Sequence, residues 1–239
     1  MLIFTGDTHG TYNILIERIK KVINFKKENN INDIINLIIS GDCGICFFID
    51  YVEIKNIDLL EKILKENNII LYFIDGNHDN IPYLQNLNKN EKNMGIIKDN
   101  ILYLNRSEIY NINDTNILCY GGAFSVDRNL RKLNIDFWEE EIPNYKELDE
   151  CLETLNNNIN NIDVILTHQG PQDIIEEMFN YSNGFIDPVC KDLNIIKKEL
   201  NKYNKSYYWI FGHHHQNKCF FNDKIYYLCL YKELFVFKK

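Results

Sequence analysis

The chain lacks any dense block of lysine and arginine, and its formal net charge is -8. That excludes the broad electrostatic footprint duplex nucleic acid demands, so no stable nucleic-acid complex is expected. It also lacks an apolar run of 18 residues, and its mean hydropathy is -0.32. Neither a spanning helix nor a membrane partner is expected. The first residues, Met1-Leu2-Ile3-Phe4-Thr5, show no basic stretch leading into a long apolar one and a small-residue cleavage site, so a cytoplasmic location is the expectation. A disulfide framework is missing as well: the seven cysteines are odd in number and irregularly spaced, and they read as reduced thiols. Cys43-x-x-Cys46 is the one pair at redox or zinc spacing. With no second pair to complete a tetrahedral site, it reads as two buried thiols beside Asp42. Alanine is nearly absent, with Ala123 alone, while Asn, Ile and Lys abound; this looks like AT-rich coding and says little about function.

What is present is a globular composition, 45% apolar and 13% aromatic over 239 residues. That is enough for a sizeable core, and one domain over 1–239 is expected. Histidine carries the first chemical signal. There are six, His9, His78, His168, His213, His214 and His215, and each follows a strand-like apolar run beside Gly, Asp, Thr or another His.

Leu2-Ile3-Phe4-Thr5 reads as a strand ending in Gly6-Asp7-Thr8-His9-Gly10, where Asp7 and His9, two apart, can point to one side. A carboxylate with an imidazole suits Zn, Fe or Mn better than Ca. Tyr12 to Glu28 carries a helical stripe (Ile14, Leu15, Ile19, Val22, Ile23) with a lysine-rich solvent face. A second strand, Ile34 to Ser40, delivers Gly41-Asp42-Cys43-Gly44. A helix over Asp58 to Glu66 and a third strand, Ile69 to Ile74, lead to Gly76-Asn77-His78-Asp79. Asp7 to Asp42 and Asp42 to Asn77 are both 35 residues apart. That rhythm fits successive βαβ units with parallel strands, whose carboxyl ends open onto one ligand crevice.

Beyond Ile81 the pattern is less regular. Short strands are expected at Ile101–Leu104, Glu108–Tyr110 and Ile117–Tyr120, the last ending in Gly121-Gly122-Ala123-Phe124-Ser125. Arg128 and Arg131 follow, and their forks could reach the cleft as a phosphate clamp or pair with the nearby Glu139-Glu140-Glu141 run. A helix is expected over Asn144–Asn157, then a buried strand, Asp163–Thr167, releasing His168. Helices at about Gln172–Phe179 and Asp187–Tyr203 precede the strand Tyr207–Phe211 and Gly212-His213-His214-His215. His213 and His215 repeat the two-apart arrangement, leaving His214 on the other side, a bystander at the edge of the substrate. The last segments, Cys219–Phe221, Ile225–Leu230 and Glu233–Phe237, read as antiparallel strands closing a second sheet, with a hairpin turn at Asn222-Asp223.

Gly6-Asp7-Thr8-His9-Gly10, Gly41-Asp42, Gly76-Asn77-His78-Asp79, Thr167-His168 and Gly212-His213-His214-His215 resemble, in order, the five signatures of the calcineurin-like metallophosphoesterase superfamily. The Gly121–Arg128 and Trp138–Glu141 stretches resemble a bacterial and phage branch of small single-domain members. The resemblance implies a four-layer α/β/β/α sandwich and a site for two divalent ions. One ion would be held by Asp7, His9 and His215 and the other by Asn77, His168 and His213, with Asp42 bridging. Mn is the first expectation, with Fe, Zn, Co or Mg as alternatives, since mixed N/O ligands accept several metals. Two such ions about 3.5–4 Å apart can share a hydroxide and clamp phosphoryl oxygens. His78 is then the expected general acid, with Asp79 orienting it or capping a helix.

The expected activity is hydrolysis of a small, nucleotide-like phosphodiester or phosphomonoester, with Arg128, Arg131 and His214 as substrate contacts. Two alternatives belong to the same fold. A Ser/Thr phosphoprotein phosphatase would carry Gly-Asp-x-x-Asp-Arg-Gly at the second signature, where this chain has Asp42-Cys43-Gly44-Ile45-Cys46. A non-catalytic protein-binding scaffold can lose the histidine of the third signature, which this chain keeps as His78. Oligomeric state has no sequence signal.

Overall fold

The computed structural model describes residues 1–10, 12–180 and 187–238. Its first half runs β1 (Leu2–Thr5), α1 (Tyr12–Glu28), β2 (Ile35–Ile39), α2 (Tyr51–Glu66), β3 (Ile69–Phe73), α3 (Ile81–Gln85), β4 (Gly95–Lys98) and β5 (Ile101–Tyr103). The second half runs β6 (Ile109–Ile112), β7 (Thr115–Tyr120), α4 (Tyr145–Asn158), β8 (Val164–Thr167), α5 (Gln172–Phe179), α6 (Pro188–Leu200), β9 (Tyr207–Phe211), β10 (Lys218–Asn222), β11 (Ile225–Cys229) and β12 (Phe235–Phe237), with single 3-10 turns at Arg128–Leu130 and Glu139–Glu141. No helix among the described residues is long and apolar enough to cross a membrane.

Two six-stranded sheets result, ordered β12-β1-β2-β3-β5-β4 and β10-β11-β9-β8-β7-β6. In the first, β1, β2, β3 and β5 run parallel, and antiparallel β12 and β4 form the edges. The second repeats this plan with β7, β8, β9 and β11 parallel inside antiparallel β6 and β10.

Strand alternation builds the layers. Along β1 to β3, Leu2, Phe4, Ile38 and Tyr72 face the other sheet and meet Ile117, Cys119, Val164, Leu166 and Ile210. The intervening Ile3, Leu37, Ile39, Leu71 and Phe73 pack against Leu15, Ile19, Leu60 and Leu64 of α1 and α2. On the far side, Ile165, Trp209 and Phe211 pack against Leu155, Ile175 and Leu193 of α4, α5 and α6. The architecture is thus an α/β/β/α sandwich. The innermost strands β2, β3, β8 and β9 are almost wholly apolar because both of their faces are covered, as parallel sheets require.

Three departures from the sequence reading have physical reasons. α2 begins at Tyr51, not Asp58, because Asp50 caps it by accepting from the Glu53 amide at 2.8 Å. Its first turns leave Tyr51, Val52 and Ile54 exposed, so no inward stripe announced them. α3 and β4 went unread because they are one turn and four residues long. The last strand does not join the second sheet: β12 crosses over and pairs antiparallel with β1, and β11 lies parallel to β9. The β10–β11 hairpin forms, but its turn is one residue later than expected: Asn222 pairs with Ile225, and Asp223 and Lys224, at φ 46° and 67°, make the two-residue turn.

Candidate active site

Five strands of two sheets end at one crevice. Asp7 and His9 follow β1, Asp42 follows β2, Asn77 and His78 follow β3, His168 follows β8, and His213 to His215 follow β9. Glycines permit the approach. A Cβ at Gly76 would fall 2.2 Å from Asp42 Oδ1, and one at Gly212 would fall 2.2 Å from Asp7 Oδ1. The turns are strained as well: His9, Asp42, His213 and His215 sit at φ 50°, 51°, 64° and 50°, each uncommon for a residue with a side chain.

Asp42 is at the centre. Its Oδ1 accepts the His78 amide at 2.7 Å, while Oδ2 is buried with no hydrogen-bond donor. His168 Nε2 and His9 Nδ1 lie 3.3 and 3.5 Å from that oxygen. These contacts are electrostatic rather than well-formed hydrogen bonds. On one flank, His215 Nε2 is 3.2 Å from Asp7 Oδ2 and 2.7 Å from His9 Nε2. On the other, His168 Nε2 is 3.3 Å from Asn77 Oδ1, and the His168 and His213 rings are 5.1 Å apart. The groups Asp7/His9/His215, Asp7/Asp42/His168 and His9/Asp42/His78 each bring one ligand atom per residue within 4.8 Å.

A buried carboxylate oxygen without a donor, near imidazole nitrogens facing one another at 2.7 Å, is an arrangement a divalent cation would satisfy. The mixed carboxylate, imidazole and amide donors fit Mn, Fe, Zn or Co.

The charges respond to this crowding. Burial works against an ionised Asp42, yet the imidazoles of His168, His78 and His9 outweigh it and hold the carboxyl well below the usual carboxylate range. Burial likewise works against an imidazolium at His168, and Asp42 overrides it, pushing His168 up to about 10. His213, buried beside His168, is pushed down to about 4. Burial also lowers His78, with Asp42 opposing and Arg131 reinforcing the shift.

The other expected site residues divide. Arg131 is at the crevice: its Nη2 lies 2.9 and 3.1 Å from the two ring nitrogens of His78 and 2.8 Å from Asp127 Oδ2. Arg128 is not a clamp; it pairs with buried Glu141 and lies 3.9 Å over the Phe124 ring. His214 turns away from the crevice, its Nε2 2.7 Å from Gln169 Oε1 and its ring stacked on Phe179. Asp79 neither orients His78 nor caps a helix. Its oxygens accept the Gly44 amide at 2.6 Å and the Gly76 amide at 2.8 Å, tying the second loop to the third, and Asn80 caps α3 instead. Burial, reinforced by Asp42, pushes Asp79 up to about 7. Cys43 and Cys46 are buried free thiols, as read, and burial pushes Cys46 up to about 12, far from a reactive thiolate.

Two supporting groups were not read from the sequence. Asn77 Nδ2 donates to Ser125 Oγ at 3.0 Å, and Ser125 Oγ donates to Glu141 Oε2 at 2.6 Å. That relay turns the amide nitrogen away and aims Oδ1 at His168. Asp75, wholly buried, accepts from Arg106 at 2.6 and 2.9 Å and from the Tyr103 hydroxyl at 2.7 Å. Arg106 also donates to the Glu140 carbonyl at 2.8 Å, so one ion pair holds the third loop and the Glu141 segment together. The Gly121–Arg128 and Trp138–Glu141 stretches were the available signal; their partnership was not.

Among solved structures, the chain is similar to the phosphopantetheinyl hydrolase PptH of Mycobacterium tuberculosis, with 15% identity, a TM-score of 0.44 and coverage of 96% of this chain and 89% of that one. It is also similar to the sulfate thiohydrolase SoxB of Thermus thermophilus, with 9% identity, a TM-score of 0.43 and coverage of 97% and 51%. No curated protein sequence matches the chain. Residues 1–217, which include all five signatures, match the calcineurin-like phosphoesterase family, so the chain belongs to that family of metal-dependent hydrolases.

Proposed function

We propose that the protein hydrolyses esters of a small, nucleotide-like phosphate, a phosphodiester or phosphomonoester, in the reducing cytoplasm that its seven free thiols suit. Asp7, His9 and His215 would hold one divalent ion, Asn77, His168 and His213 a second, and Asp42 would bridge them, with Mn as the first candidate. The observation that carries this reading is the buried, donorless Oδ2 of Asp42 between His168 and His9. When bound, such ions supply Lewis acidity to a phosphoryl oxygen and lower the pKa of the attacking water.

The chain's own residues supply the rest. Asn77 offers an oxygen without adding negative charge, which keeps the crevice receptive to phosphate. Arg131, beside His78, is placed to grip a phosphoryl oxygen while Asp127 steadies its fork. His78 is the proposed general acid to the leaving oxygen. Its lowered pKa makes it a stronger acid that is less protonated at neutral pH, so Asp42 as its opposing neighbour matters.

The test is turnover of bis-p-nitrophenyl phosphate against p-nitrophenyl phosphate with Mn²⁺. Preference for the diester assigns a phosphodiesterase and preference for the monoester a phosphatase. Turnover of neither puts a protein-binding scaffold back in contention.

A further inference from the structure

The cleft beside His9 and His78 has a wall that phosphate chemistry does not require. It has a volume of about 220 Å³, and Phe47, Phe48 and Glu53 line it together with the two histidines. Phe47 is anchored: its ring meets Trp138 edge-on at 5.1 Å, and its carbonyl accepts from Asn80 Nδ2 at 3.2 Å. Phe48 packs edge-on against Phe47 at 4.7 Å and remains 56% exposed. An aromatic ring held in place yet left open to water beside a polar site is a surface waiting to be covered.

Glu53 adds a directional element. Its Oε1 accepts from the Tyr12 hydroxyl at 2.8 Å and the Cys46 amide at 2.5 Å, which fixes the side chain. Its Oε2 has no hydrogen-bond partner among the described residues. A carboxylate repels phosphate, so neither Glu53 nor the phenylalanines can serve the phosphoryl group. Together they suit a flat ring that stacks on one face and donates an N–H at its edge. The volume is below the 300–1,000 Å³ of drug-sized pockets, which leaves room for one ring system with the remainder of the ligand outside.

We infer that this cleft is a subsite for the leaving group, taking an aromatic heterocycle with an N–H donor, as a nucleobase presents, stacked on Phe48 and donating to Glu53. The assignment to the leaving group rests on the proposed hydrolysis, since His78 both lines the cleft and is the proposed acid to the departing oxygen. The subsite itself does not rest on turnover.

The experiment compares adenosine 5′-monophosphate with ribose 5-phosphate on the Mn²⁺-loaded protein. The two share the phosphate and the 5′ carbon and differ by the base. Discrimination is read as a ratio, of affinities by calorimetry if the esters survive and of kcat/KM if they are hydrolysed. The parent protein should favour the adenosine ester about tenfold or more. Phe48→Ala should bring the ratio towards one while leaving ribose 5-phosphate unchanged. Glu53→Gln, which keeps the acceptor for Tyr12 and Cys46, should lower the ratio without lowering the melting temperature. A parent ratio near one, or a ratio that Phe48→Ala does not move, overturns the subsite. If the affinity ratio holds while neither the two sugar phosphates nor the p-nitrophenyl esters are hydrolysed, the hydrolase reading fails and the subsite stands.

Discussion

Replacing Ser125 by Ala removes one oxygen from a buried relay whose purpose, on this account, is to aim Asn77. Ser125 and Asn77 are 1% and 3% exposed, and Glu141 is fully buried. Two hydrogen bonds disappear, from Asn77 Nδ2 at 3.0 Å and to Glu141 Oε2 at 2.6 Å, while the Ser125 amide still reaches Glu141 Oε1 at 3.0 Å. With two buried partners left unsatisfied at about 1–3 kcal/mol each, stability should fall by about 2–6 kcal/mol. For a chain of this length that is a drop of about 4–24 °C in melting temperature. The sharper effect falls on metal binding. An amide free to turn presents nitrogen as readily as oxygen, and loss of such outer support typically weakens a metal site about 10–100-fold. Calorimetric titration with Mn²⁺ should show one of two ions weakened by that factor and the other unchanged. Ser125→Thr, which keeps the hydroxyl, should restore it. A variant that loses melting temperature yet binds both ions as before would refute the positioning role and leave the relay merely structural.

Removing Asp75 as Asp75→Ala strands Arg106, whose side chain is 3% exposed, with only partly buried Glu147 as a charge partner at 3.2 Å. Unfolding stability should fall by about 3–5 kcal/mol, seen as a melting temperature lower by about 6–20 °C; a shift under 2 °C would contradict a supporting ion pair. His78→Ala should retain both ions and lose about 10²–10⁴-fold on alkyl esters but far less on p-nitrophenyl esters, whose leaving group needs little protonation; equal losses would count against the acid role. For the same reason alkyl-ester turnover in the parent should already be declining below pH 6.5, the ordinary imidazole value, because burial lowers the His78 pKa and depletes the protonated ring sooner. Metal uptake should be coupled to proton release. The metal-free protein keeps His168 protonated up to about pH 10, and a cation must displace that proton. Apparent affinity should therefore rise up to tenfold per pH unit between pH 7 and 9, and a flat profile would place the proton elsewhere.

The parts of this molecule legible in sequence are those governed by short-range patterns. Runs such as Ile35–Ile39 and Tyr207–Phe211 are apolar on both faces because they are covered on both, and the polar residues that follow must lie at strand ends. Asp7, Asp42, Asn77, His168 and His213 were placed by that logic alone. What stayed hidden depends on contacts between distant segments. Asp79 could not be assigned without knowing that Gly44, 35 residues earlier, would offer its amide. Arg128 had two partners of equal chemical merit, and the fold decided for Glu141 by burying it. The three-residue strand Phe235–Phe237 carries no mark of which sheet it will edge. The onset of α2 was masked for a different reason: Tyr51, Val52 and Ile54 are apolar but face outward, so their pattern is not that of a buried stripe.

On the proposed function, Asp42 bridges two divalent ions on which turnover depends. The direct measurement is metal content per chain, by elemental analysis after Mn²⁺ loading, alongside hydrolysis of bis-p-nitrophenyl phosphate, for the parent and Asp42→Asn. Two ions per parent chain are expected, and in the variant at most one, with activity falling in step. A variant that keeps both ions and full activity, or a parent that turns over substrate with none bound, would contradict it.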